Sequence, residues 1–156
     1  MSSLSQSFRF EDRFASFQPQ ESAAVTGIDR TYYLDFAERM VRACMQWQCD
    51  DGRVIDPHHP DYDPTTTATP RWIAAIAALV QAGRCMDLVE ASAKAMDVAT
   101  DALAHSSNER RDLPSPDFYT RDLAIGWRWL KDHVDASRAD TWAKRLGTFE
   151  PEDVYW

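Results

Sequence analysis

Between Cys49 and Ala68 the chain carries Asp51, Asp56, His58, His59, Asp61, Tyr62 and Asp63, with Arg71 shortly after and Asp117 and Tyr119 further on. These are residue types that move protons, orient polar substrates or ligate cations. Cleaving a glycosidic bond needs two carboxyl groups flanking it, one of them held protonated. Elimination needs a tyrosine or histidine base and a group that neutralises a uronate. On that chemistry Asp51, Asp56, His58 and Tyr119 are the candidate catalytic residues, and His59, Tyr62, Arg71 and Asp117 the candidate substrate-binding residues. The competing reading is that the carboxylates cap turns and stay solvated. The His and Asp spacing matches neither H-E-x-x-H nor an EF-hand loop, so no metal ligand set and no cofactor is assigned.

Composition narrows the partners. Twenty-five acidic and seventeen basic residues leave a net charge of −8, which repels nucleic-acid phosphates and anionic lipid. No nucleic acid or membrane partner is therefore expected. With 44% hydrophobic residues in 156, the chain can bury one core and suits about one domain. No G-x-G-x-x-G, G-x-x-x-x-G-K-[ST] or G-x-S-x-G occurs, which removes the dinucleotide, P-loop and serine-hydrolase readings. Cys44, Cys49 and Cys85 are odd in number and lack C-x-x-C spacing, as expected of reduced thiols. The first residues show no basic and apolar leader pattern, so the expected location is cytoplasmic.

The elements that must position these residues read as helices. Residues 1–28, with Phe8, Phe10, Phe14 and Phe17, read as an aromatic arm, and residues 29–156 as a helical-hairpin domain. Tyr33, Ala37, Met40, Cys44 and Trp47 recur at helical spacing, which predicts a helix from about Arg30 to Gln48 buried along that stripe. Thr69-Pro70 reads as the cap and first turn of a second helix, nearly apolar through Trp72, Ile73, Ile76, Leu79 and Val80 and stopped at Gly83. Asp87 and Glu90 resemble a capping box for a third helix reaching about His105. Ser115-Pro116-Asp117 opens a fourth that runs through Val134, and a fifth spans Ser137 to Leu146. Trp47, Ile76, Met96 and Trp127 are expected in the core, and Arg110 and Arg111 at the surface. No segment alternates like a strand. The fold class is all-α, built from antiparallel helical hairpins.

The runs Gln46-Trp-Gln-Cys-Asp-Asp-Gly-Arg-Val-Ile-Asp-Pro, Thr67-Ala-Thr-Pro-Arg-Trp and Asp117-Phe-Tyr-Thr-Arg-Asp-Leu resemble the N-terminal part of bacterial six-hairpin (α/α)6-toroid proteins. That group includes glycoside hydrolases and heparinase-like polysaccharide lyases. The resemblance implies part of an (α/α) toroid, with the 50–69 loop and the Asp117 helix start lining a cleft that takes a saccharide substrate by hydrolysis or elimination. Five helices are fewer than a full ring of about twelve. The chain is accordingly expected either to continue in a longer protein or to pair as a homo-oligomer. A non-catalytic helical module that self-associates or binds a partner chain is the alternative function.

Overall fold

The computed structural model describes residues 28–109 and 117–148, with side chains over 28–105 and 119–148. The aromatic arm, Asp117 as a side chain, and Arg110 and Arg111 lie outside the described residues. The chain divides into two units at Tyr33 and Leu34.

Within the first unit, the Asp29 carboxylate accepts the Tyr32 N–H at 2.9 Å, satisfying one of the donors a helix start leaves unpaired. The Tyr32 and Tyr33 rings meet edge to face, 5.9 Å apart.

Among the described residues five α-helices follow one another: α1 Arg30–Cys44, α2 Ala68–Gln81, α3 Val89–Glu109, α4 Asp117–Leu130 and α5 Ala136–Leu146. Single 3-10 turns extend α1 over Met45–Trp47, precede α3 over Met86–Leu88 and extend α4 over Lys131–His133. No strand is present among the described residues, only one antiparallel bridge between Gln48 and Val54. The all-α expectation therefore holds. Helix starts fall within about two residues of those expected.

In the second unit the core is centred on α2, whose Ile73, Ile76 and Ala77 are fully buried and whose Leu79 is 1% exposed. That helix packs on both α3 and α4, and α5 closes against α3 and α4. Its most extensive partner is α4. Gly126 of α4 permits the close approach: a Cβ there would stand 2.5 Å from Ile73 Cγ2 and 2.8 Å from the Met96 sulfur. Met96, Ala99 and Leu103 of α3, Leu123 and Leu130 of α4 and Trp142 of α5 complete the apolar interior. After α2, Gly83 at φ +76 makes the left-handed stop that the sequence predicts. Cys85 follows it with a second positive φ of +54, in a buried turn.

Four expectations are corrected. On α1 the inward residues are Leu34, Ala37, Val41 and Cys44, spaced three, four and three, with Val41 3% exposed. Tyr33, Met40 and Trp47 are instead exposed. The reason is that α1 carries two adjoining apolar stripes about 100° apart around the helix, and the larger side chains are on the outer one. Trp72 fixes the choice, since its indole N–H donates to the Val41 carbonyl at 3.0 Å and draws that side of α1 onto α2. Trp127, expected in the core, is only partly buried, its N–H donating to the Ala139 carbonyl of α5 at 3.2 Å. Thr69 is not a cap: Thr67 holds that position without a side-chain capping bond, and Thr69 lies inside the helix. Asp87 turns its carboxylate to Arg42 of α1.

Candidate functional site

The connection from α1 to α2 is ordered by its own short-range polar chemistry. Ile55 donates to the Trp47 carbonyl at 3.1 Å and Cys49 to that of Arg53 at 2.8 Å, closing a tight turn over residues 49–53. Gly52 sits at its tip with φ +100, pressed on α3, so that a Cβ would lie 2.6 Å from the Lys94 carbonyl carbon and oxygen. The Gln48 amide clamps the same turn, donating to the Gly52 carbonyl at 3.2 Å and to the Ala91 carbonyl of α3 at 2.9 Å. Beyond it, buried Thr69 accepts the Val54 N–H at 2.9 Å, which ties the turn to the start of α2.

The predicted catalytic residues are employed locally. Asp51 accepts the Arg53 N–H at 3.0 Å and its guanidinium at 2.7 Å. The backbone bond, reinforced by that side chain, holds the Asp51 carboxyl below the usual carboxylate range. Asp56 accepts the N–H of His58 at 2.9 Å, an Asx turn that leaves the His58 side chain exposed. His59 stacks on Tyr62, with ring centroids 5.0 Å apart and planes 10° from parallel, and both are exposed. Asp63 receives the Thr65 N–H and hydroxyl at 2.8 and 2.7 Å, and its carbonyl receives the Thr66 and Thr67 hydroxyls. Arg71 is exposed on the first turn of α2. Tyr119, by contrast, is 2% exposed and belongs to the core cluster.

The structure thus joins Asp51 with Arg53, Asp56 with His58, and His59 with Tyr62, each pair close in sequence. It places the Tyr119 phenol in a buried setting and the loop carboxylates in a solvated one. A general acid needs a dry or like-charged setting to stay protonated, whereas Asp51, Asp56 and Asp63 are engaged as turn acceptors. Among the described residues no group of three or more His, Cys, Asp or Glu side chains is arranged to hold a metal ion. No helix among them is long and apolar enough to cross a membrane.

Two charge networks were not legible in the spacing. On one side of the bundle, Asp97 of α3 accepts Arg138 of α5 at 2.6 and 3.0 Å and the Trp142 indole N–H at 2.7 Å. Arg138 also reaches Glu90 at 2.9 Å, and Arg145 donates to the Asp97 carbonyl at 3.0 Å and the Asp101 carboxylate at 2.5 Å. On the other side Arg42 joins Glu38 at 2.9 Å and Asp87 at 2.8 Å, while Arg84 joins Asp35 and Glu38. Burial pushes the Cys85 thiol up beside this second network. Both networks lash helices together. Apart from the Glu38–Arg42 pair, four residues apart on α1, their partners stand more than forty residues apart, and only the acidic and basic character of each helix face hinted at them.

A different surface stands out. Phe36, Met40, Ala43 and Trp47 line the outer side of α1 and the turn that extends it, at spacings of four, three and four. Phe36 and Met40 are about half exposed and Trp47 about a third. Ile55, bonded to the Trp47 carbonyl, adjoins this strip and is 37% exposed, while Met86, 49% exposed, neighbours the Asp87 that Arg42 grips on another side of α1. No family model, curated protein or solved structure matches the chain.

Proposed function

We propose that this chain is a non-catalytic helical interaction module whose docking surface is the outer face of α1. The observation that carries the reading is the strip of Phe36, Met40 and Trp47, flanked by Ile55, held outward while α1 turns Leu34, Ala37 and Val41 onto its own core. Aromatic side chains, methionine and arginine are the types enriched at the centres of protein interfaces, and contiguous apolar patches rimmed by polar groups mark association sites.

The carbohydrate-active reading draws on the same loop with less support. Asp51 and Asp56 are engaged as turn acceptors, and Tyr119 is enclosed in the core. The partial toroid remains compatible with the α2–α3 and α4–α5 hairpins and their short connections. The three free thiols fit the reducing cytoplasm.

Calorimetric titration of the full chain with neutral and uronate-containing oligosaccharides separates the two functions. The module gives no binding heat. Saturable heat that disappears in Asp56→Asn would overturn it in favour of the saccharide site.

A further inference from the structure

We infer that the partner of the α1 face is a second copy of this chain, paired about a two-fold axis that crosses α1. This rests on the interaction-module reading and names its occupant. Three observations point to a copy.

The first is area. Phe36, Met40, Trp47 and Ile55, each between 36% and 51% exposed, leave on the order of 100 Å² apiece in water, or roughly 400 Å² in all. A standard interface buries about 800 Å² per partner, of which about 60% is apolar. The strip therefore supplies most of the apolar share of one such interface.

The second is charge. A chain of net −8 repels its own copies over most of its surface. Residues 34–47 are neutral, with Asp35 and Glu38 balanced by Arg39 and Arg42. Moreover, Asp35 and Glu38 are already neutralised by Arg84 and Arg42 within the chain. Two copies can approach here without that penalty.

The third is self-complementarity. Arg39 and Asp50 are exposed, lie towards opposite ends of the strip, and have no ion-pair partner among the described residues. Antiparallel α1 helices crossing near Cys44 set each Arg39 towards the partner's Asp50 and each Met40 towards the partner's Trp47. A two-fold interface requires this property, since each patch must complement itself.

Sedimentation of the full chain from about 1 to about 100 μM tests the inference over the range of an ordinary micromolar dimer. The expected result is a mass rising from 17.8 kDa to twice that value. Arg39→Asp and Asp50→Arg should each weaken pairing by about tenfold, and the double swap should restore it, with helical circular dichroism unchanged throughout. A single-chain mass at every concentration overturns the second copy, and leaves the module reading in place if oligosaccharides also give no heat. Pairing that the double swap fails to rescue overturns the antiparallel arrangement.

Discussion

Substituting alanine at Gly52 and at Gly83 separates two costs that usually come together. Both glycines have positive φ, +100 and +76, so each alanine pays for a backbone region that L residues avoid, about 1–2 kcal/mol. Around Gly83 nothing lies within 4 Å of the added carbon. At Gly52 the same carbon would stand 2.6 Å from the Lys94 carbonyl and 2.9 Å from the Ala95 nitrogen, backbone atoms inside a helix that cannot rotate away. Overpacking of that kind adds about 1–3 kcal/mol. Gly83→Ala should therefore lose about 1–2 kcal/mol and Gly52→Ala about 2–5 kcal/mol, read by urea unfolding with tryptophan fluorescence. The loop relaxes most cheaply by lifting from α3, so Gly52→Ala should also speed amide exchange at Ile55, whose N–H bonds the Trp47 carbonyl. Equal losses at the two sites would refute the claim that contact with α3 fixes the 49–53 turn.

Ile76→Ala, at a fully buried position of α2, should cost about 2–5 kcal/mol in the same unfolding assay. Asp97→Ala removes the acceptor shared by Arg138 and Trp142 and should lower stability by about 1–3 kcal/mol, while Asp97→Asn, which keeps one acceptor oxygen, should lose less. Acid should weaken the fold. The Arg42 bonds hold the Asp87 carboxyl low, as the Arg53 backbone bond holds Asp51. Depressed carboxylates stabilise above their unfolded pKa of about 4 and lose that contribution as pH falls through the lower folded value. Thermal melts between about pH 6 and pH 2 should show the decline, smaller in Asp87→Asn.

Much of the architecture is readable from chain-local chemistry. Gly83 stops α2 because the left-handed turn favours glycine, and the apolar density of Ile73, Ile76, Leu79 and Val80 places that helix at the centre. Asp56 and Asp63 behave as turn residues among prolines and threonines are expected to behave. The facing of α1 was not readable, because Tyr33, Met40 and Trp47 satisfy helical periodicity as well as Leu34, Ala37 and Val41 do. The decision is made by the Trp72 indole reaching the Val41 carbonyl, a bond between residues 31 apart. For the same reason, spacing alone proposes the loop carboxylates as a site without revealing that Asp51, Asp56 and Asp63 are already engaged by a neighbouring N–H.

Methionine oxidation tests the docking surface most directly, since the chain carries its own reporters. Met40 is about half exposed on the proposed surface, Met86 is about half exposed away from it, and Met96 is fully buried between helices. Peroxide should oxidise Met40 and Met86 quickly and Met96 slowly in dilute protein, and the rate at Met40 should fall as concentration rises while Met86 stays fast and Met96 slow. Met40 reacting equally fast at all concentrations would contradict pairing through α1. Met40 as slow as Met96 even in dilute solution would contradict the exposed face itself.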